Sequence, residues 1–360
     1  RRAAEVEAAR RLPADLLAQL VSAGCFRVLL PPSLGGAGAD LVAALRVYET
    51  LSQADASVGW NAMIGSGVWL DLVGLPRATL DSLYGDGPDA MIAGVFNPTG
   101  VAVPVDGGYR VSGRWAFASG CSHSDWLYGN CTEEADGEQR FRTVLFAAAE
   151  VQIEDTWHVM GLRGTGSHHF TVDNVVAPAE RTCATFEDEP AIDDPIVRIP
   201  VPSLLALAIA SVAIGTGQGA LDEITGVAQS RTPLLASSSL AASPLFQRDL
   251  STADTELRAA RALIHGVAGE AWTTACAGEE LDLEQRARIR AAAVWAVSRA
   301  SAVVRAAYHA GGGSALYVES PLQRRLRDIH AVTQHFLVRP DTMITAGAVL
   351  AGQDVDVPVL

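Results

Sequence analysis

Apolar positions change their spacing twice along this chain. From Ala3 to about Leu83 they recur every three to four residues, as in Leu41, Ala44, Leu45, Tyr48 and Leu51, which places them on one face of a helix. Pro and Gly punctuate the gaps. Between about Met91 and Pro178 the runs shorten to strand length. Val101-Ala102-Val103, Tyr109-Arg110-Val111 and Phe170-Thr171-Val172 are separated by turn signals such as Asp106-Gly107-Gly108. From Val201 to about Leu350 the helical period returns in long segments, expected over 203–229, 249–277, 283–310 and 321–337. The pattern predicts an N-terminal helical domain over 1–88, a central β domain over 89–186 and a C-terminal helical bundle over 187–360. The stretch Glu187 to Pro200, acidic and with three prolines, is the expected crossing into the bundle. No internal repeat interrupts this order.

Composition narrows the picture. The 360 residues are 49% apolar and only 19% charged, with a mean hydropathy of +0.19. That excess of apolar surface is expected to close a subunit interface. A net charge of -14 and a pI near 5.0 exclude nucleic acid and an anionic membrane as partners. There is no lysine: all 27 basic residues are arginine, which excludes a lysine nucleophile or Schiff base. Cys25, Cys121, Cys131, Cys183 and Cys276 are scattered and odd in number, and are expected as buried thiols, not as a disulfide framework or metal site. The apolar run Leu204 to Ile214 is too short to span a bilayer and is expected as a core helix. Arg1 to Arg11 is charged and helical in pattern with no signal-peptide core, so a cytoplasmic protein is expected.

Several segments carry a resemblance. Pro31-Pro32-Ser33-Leu34-Gly35-Gly36-Ala37-Gly38 is followed by Val47-Tyr48-Glu49 and Ala54-Asp55-Ala56-Ser57. Gly113 to Gly120 reads GRWAFASG. Met160 to Ser167 reads MGLRGTGS, with Asp173-Asn174-Val175-Val176-Ala177-Pro178 beyond it. Ser320-Pro321-Leu322-Gln323-Arg324 precedes Arg327-Asp328. Taken in order over nearly the whole chain, these motifs resemble the acyl-CoA dehydrogenase superfamily. The resemblance implies an α+β fold with an N-terminal helical domain, a central β-barrel-like domain and a C-terminal helical bundle.

It also implies a flavin. The GRWAFASG segment resembles the family's flavin loop, where an aromatic ring packs on the isoalloxazine and a hydroxyl or backbone N–H bonds its N5 or O4. The positions that match are Phe117, Ser119 and Gly120, with Arg163 in the MGLRGTGS motif. Arg231 falls where the family places an arginine on the flavin phosphate, often across a subunit boundary; the guanidinium fork suits that anion. Tyr308 stands before Gly311-Gly312-Gly313 where dehydrogenases have Gln, so FMN and FAD both remain open. His123 either faces this site or pairs with Asp125 as a structural histidine. Trp60, Trp69, Phe117 and Trp126 either line a pocket for a planar substrate or belong to the core.

The dehydrogenase base is missing. Removing an α-proton from an acyl thioester needs a carboxylate within hydrogen-bonding reach. In the matching stretch, Arg327-Asp328-Ile329-His330-Ala331-Val332-Thr333-Gln334-His335-Phe336-Leu337, Phe336 stands at or near the glutamate position, and no carboxylate occurs between Asp328 and Asp341. Two histidines replace it. On one helix His330 and His335 would point about 140° apart, which disfavours a shared metal. The "RD.HA…H" pattern, with Gly59-Trp60 after Ala56-Ser57-Val58, resembles the superfamily's flavin-dependent monooxygenase branch, the oxygenase half of two-component systems.

That resemblance implies a reduced flavin (FMNH2 or FADH2) delivered by a separate reductase. It further implies O2 adding at C4a to give a hydroperoxyflavin, and hydroxylation of a small aromatic or heterocyclic substrate. Ser119 would protect the adduct, and His335, or His330, would act as base or hydrogen-bond partner, an imidazole being suited to either. Trp60, His123 and Trp126 are the expected substrate contacts. No metal is expected, and a homotetramer held by the bundle is. The alternative is an acyl-CoA dehydrogenase whose carboxylate has moved to another helix.

Overall fold

The computed structural model describes residues 2–85, 87, 89–135, 138–185, 187–353 and 355, so the expected domain limits at 88 and 186 lie outside the described residues. Five helices come first: α1 (Ala3–Ala9), α2 (Ala14–Ser22), α3 (Leu41–Ala54), α4 (Ala56–Gly67) and α5 (Arg77–Leu83). Local chemistry sets their starts. Asp40 accepts from the Ala43 amide at 2.8 Å to cap α3, and Asp55 accepts from Val58 at 3.0 Å to cap α4. Such caps satisfy amides that the first turn leaves free. Asp55 thereby sets the start of the helix that carries Trp60.

Seven strands follow: β1 (Ile92–Val105), β2 (Gly108–Ala118), β3 (Trp126–Ala135), β4 (Glu138–Ala147), β5 (Gln152–Glu154), β6 (His168–Pro178) and β7 (Thr182–Ala184). They form one mixed sheet in the order β5-β6-β2-β1-β3-β4-β7, with β1 and β3 parallel and the other neighbours antiparallel. The sheet curls around a single indole. Trp115 of β2 stacks on Phe170 of β6 at 4.9 Å, lies 5.9 Å from Phe146 of β4, and donates to the Asn130 carbonyl at 2.8 Å. Glycine makes the room: a Cβ at Gly100, Gly113 or Gly129 would come within 2.3, 2.6 or 2.4 Å of that ring.

The bundle comprises α6 (Val201–Ser230), α7 (Pro244–Cys276), α8 (Leu283–Gly311), α9 (Pro321–Val332) and α10 (Thr342–Leu350). Helix α6 is long and apolar enough to cross a membrane, but 89% of its apolar window is buried by α3, α8 and their neighbours. It is the core helix that the run Leu204 to Ile214 predicted. Each fully buried Leu or Ile along it contributes about 1.5–3 kcal/mol. Four cysteines are buried as expected. Cys276 is not: it is exposed, because it ends α7 on the solvent side of the last turn.

Two boundaries differ from the pattern. Helix α7 begins at Pro244, a residue that suits a first helical turn, and not at 249. Helix α9 stops at Val332, not 337. There the Thr333 hydroxyl donates back to the His330 carbonyl at 2.7 Å, and the Gln334 and His335 amides make tightened bonds to Ala331 and Val332. His335 then accepts from the Leu337 amide through Nδ1 at 3.3 Å and starts a short 3-10 turn, Phe336–Val338. Side-chain bonds to the backbone compete with the helix and end it. The two histidines therefore never share a helix.

Helix α9 also pins the loop before β6. Asp328 accepts from the Leu162 amide at 2.7 Å, and Arg327 donates to the Met160 carbonyl at 2.6 Å while pairing with Glu7 of α1 at 2.5 Å. Gly161 lies so close that a Cβ would meet the Arg327 carbonyl at 2.0 Å. N-terminal helix, sheet loop and bundle meet at this one junction.

Candidate active site

The end of β2 breaks the regularity of the sheet. Its register against β6 shifts between Trp115 and Ala118, and Phe117 adopts a left-handed backbone at φ +70°. A bulge of this kind re-aims a side chain, and a non-glycine residue held there carries on the order of 1–3 kcal/mol of strain. The result is an aromatic ring turned out of the sheet, 68% exposed, edge-on to Trp157 at 6.2 Å and His169 at 6.0 Å.

Two residues later Ser119 is buried. Its Oγ accepts from the Trp60 indole N–H at 3.0 Å and lies 2.8 Å from the Ser167 hydroxyl, which lies 2.6 Å from Thr165 Oγ1. Thr165 donates to the Leu162 carbonyl at 2.8 Å. A carbonyl can only accept, so that last bond sets the direction of every other proton. Thr165 must accept from Ser167, and Ser167 from Ser119. The Ser119 hydroxyl thus spends its proton inside the protein and presents its remaining lone pair.

Gly120 closes the turn at φ +80°, its amide donating to the Thr165 carbonyl at 2.9 Å. A Cβ there would lie 3.2 Å from His123 and 3.3 Å from Asn61. His123 sits behind this turn with its Nδ1 buried and unpartnered, while the Asp125 carboxylate accepts from the Met91 amide. The two do not hydrogen-bond to each other. Burial, and then the charge of Arg11, push His123 down to about 4, so its ring is neutral.

From the bundle side His335 reaches the same place. Its ring lies 5.8 Å from Trp60 and stacks on the half-exposed Phe336 at 5.0 Å. Burial, and then the charge of Arg290, push its pKa down to about 4. The ring is neutral, and because Nδ1 accepts from Leu337, the proton resides on Nε2. His335 is therefore a hydrogen-bond donor in this tautomer, and the role of a base at Nε2 is not open to it.

Of the other expected residues, Arg163 shares the turn Arg163–Thr165 with the hydroxyl chain. His330 is on α9, half-buried, with its carbonyl held by Thr333. The Trp126 ring, expected among the substrate contacts, lies under the Arg181 guanidinium at 4.9 Å. Trp69 is core, 1% exposed. Arg163 has its Nε buried without a partner. Arg231 donates to the Gly311 and Ala310 carbonyls and braces the end of α8, next to a loop whose Leu234 and Leu235 are almost fully exposed. Among the described residues no cluster of His, Cys, Asp or Glu is built to hold a metal.

Sequence reasoning passed over Ser167 and Thr165, which complete the hydroxyl chain, and Asp328, which holds the loop carrying Arg163. Asp328 is wholly buried, and burial, followed by the nearby Asp55, raises its carboxyl to about 7. The serine and threonine stood in the MGLRGTGS motif, but Ser119, the partner of Ser167, is remote in sequence.

The chain is similar to known proteins over nearly its whole length. Residues 1–74 match the acyl-CoA dehydrogenase N-terminal domain and residues 207–340 the acyl-CoA dehydrogenase C-terminal domain. An indole-3-acetate monooxygenase of Pseudomonas putida is 32% identical, the match covering 98% of this chain and 90% of that protein. The oxygenase subunit HsaA of a flavin-dependent monooxygenase from Rhodococcus jostii is 30% identical over 94% of this chain and 91% of its own. Among solved structures, XiaF from a Streptomyces species, in complex with FADH2 and glycerol, superposes with a TM-score of 0.92 at 28% identity, covering 99% of this chain and 93% of that one. The chain belongs to the acyl-CoA dehydrogenase superfamily, in its branch of flavin-dependent monooxygenase oxygenase components that use reduced flavin.

Proposed function

We propose that the space between the Ser119 turn, Trp60 and His335 is where reduced flavin and substrate meet, and that the substrate is a small aromatic or N-heterocyclic molecule. The observation that carries this reading is the directed hydroxyl chain ending on Ser119. A serine that can only accept suits the N5–H of a reduced flavin, whereas oxidised flavin has no hydrogen there to give. The surroundings fit the group as well. Phe117 offers an exposed ring face, and Arg163 a buried donor without a partner. Bound here in reduced form, the flavin would supply the electrons that activate O2, and O2 would supply the oxygen atom transferred.

The protein's own contribution is to order and dry the site. Ser119 fixes the flavin edge, while Trp60 holds Ser119 and walls one side. His335 donates a hydrogen bond from Nε2 to an oxygen of the oxidant or substrate and keeps its proton, so it orients and stabilises without changing its charge. His330 takes no part. The dehydrogenase alternative lacks its base: no acid occurs from His330 to Pro340, and the buried length of α6 from Val201 to Gln218 carries none.

A separate reductase supplies the flavin, and the protein is a cytoplasmic homotetramer. The exposed Leu234-Leu235 loop beside Arg231 supports a neighbouring subunit at that end of the bundle, where Arg231 would reach the flavin phosphate. Light scattering is expected to give a multiple of 37.8 kDa; a monomer that binds reduced flavin tightly overturns the assembly. Single-turnover mixing of the reduced-flavin enzyme with labelled O2 and indole-3-acetate or a phenol tests the chemistry. Label in the organic product supports it; acyl-CoA oxidation without oxygen uptake overturns it.

A further inference from the structure

Arg290 of α8 is a charge in the core without a counter-charge. It is 3% exposed, its Nε has no partner, and its one hydrogen bond, from Nη1 to the Pro202 carbonyl, is stretched to 3.5 Å. No described carboxylate pairs with it. The other arginine buried in the bundle is treated differently: Arg325 donates to the Gln53 carbonyl at 2.8 Å and lies 4.0 Å from Glu223. A guanidinium keeps its proton when buried, so an unpaired one is costly to the fold unless something else brings the opposite charge.

A second unpartnered polar group lies beside it. Ser203, next to Pro202, is fully buried, and its hydroxyl has no partner either. Both residues belong to the first turn of the 30-residue helix α6, whose positive end carries no side-chain cap. The turn Phe336–Val338 packs on α6 and α8, which brings His335 into the same corner. Guanidinium and hydroxyl are gathered there without an anionic partner among the described residues, and the one acceptor near the guanidinium is the Pro202 carbonyl at 3.5 Å.

We propose that Arg290, with Ser203, receives the carboxylate of an aromatic acid substrate on the inner side of His335. The inference rests on the monooxygenase reading and narrows its substrate from aromatic molecules in general to those carrying an anionic oxygen on a side arm. A carboxylate matches the guanidinium fork and accepts from the hydroxyl, and it supplies the charge that the fold withholds. Turned toward this corner, the acid would leave its ring between Trp60 and Phe336.

The test is binding, separate from turnover. Enzyme loaded with reduced flavin is titrated without oxygen against three acid and amide pairs: benzoate and benzamide, phenylacetate and phenylacetamide, indole-3-acetate and indole-3-acetamide. At least one acid is expected to bind about ten-fold or more tightly than its amide. Arg290→Met, of similar length and no charge, is expected to weaken that acid about 30-fold while leaving the amide nearly unchanged. Arg290→Lys should restore part of the preference. Circular dichroism confirms the fold, and Arg290→Gln replaces the Met variant should that one unfold. Equal binding of acid and amide by the wild type in all three pairs, or an acid preference that survives the loss of the guanidinium, overturns the proposal. Failure of the monooxygenase reading looks different: the acid binds through Arg290 but never gains oxygen.

Discussion

On the sheet side of the site every hydroxyl proton has a destination. Trp60 donates to Ser119, Ser119 to Ser167, Ser167 to Thr165 and Thr165 to a backbone carbonyl. On the bundle side the polar groups are buried but unfinished, since Arg290 Nε and the Ser203 hydroxyl lack partners and His335 is satisfied at one nitrogen alone. A completed network is rigid and gives the flavin one fixed acceptor. An incomplete one stores unmet demand that a ligand can satisfy, which is how stability is given up for recognition. In the proposed reading the sheet side offers the arriving flavin one fixed acceptor, and the bundle side is completed when substrate binds.

The largest expected effect comes from the bundle side. His335→Ala should bind reduced flavin normally and lose product by about 100-fold or more, with oxygen use diverted to peroxide. His335→Gln separates donor from base: a side-chain N–H should recover a good part of the coupling, and a variant as poor as alanine would argue for a base. Since the ring is held neutral down to about 4, coupling should stay flat between about pH 5.5 and 8. A limb near 6.5 that vanishes in the variant would break the donor assignment. His330→Ala should change little.

Ser119→Ala comes next. It removes the acceptor and cuts the chain in its middle, about 1–2 kcal/mol, read as roughly ten-fold more peroxide per product. Unchanged leakage would remove Ser119 from the site. Trp60→Phe keeps the wall and deletes only the N–H that holds Ser119, so a few-fold loss is expected, about 1 kcal/mol. If it equals the Ser119 variant, the chain acts as a unit.

The smallest effect is on stability. Asp328 has its carboxyl raised from 3.8 to about 7, so the folded protein favours the protonated form. Its contribution is present at low pH and lost as pH rises through that window. Asp328→Asn keeps an oxygen for the Leu162 amide and should flatten the fall in melting temperature between about pH 5 and 8. A variant whose melting falls as steeply as the wild type would show that the carboxyl is not the group responsible.

Much of this was legible beforehand, for stated reasons. The change of apolar period gave helices, sheet and bundle in order, because burial of one face needs that period whatever the neighbours are. Phe117, Ser119 and Gly120 stood in one motif and remain together in the turn after β2. What could not be read depends on contacts remote in sequence. The end of α9 is set by side-chain bonds at Thr333 and His335, in a stretch that could equally have continued as helix. Trp126 belongs to the core or the pocket only according to where Arg181 lands. Arg290 looks like any helical arginine until its missing partner is known, and the direction of the Ser119 proton is set by Thr165 and the Leu162 carbonyl.

The junction at Gly161, Leu162 and Asp328 also bears on how the enzyme is made. The sheet leaves the ribosome with Ser119 and Phe117 already encoded, but the Leu162 amide has no acceptor, and Met160 and Gly161 no wall to rest on, until residue 328 has been synthesised. The loop bearing Arg163 therefore takes its working shape late. A chain that stops short of residue 328 leaves that loop without its anchor in the bundle.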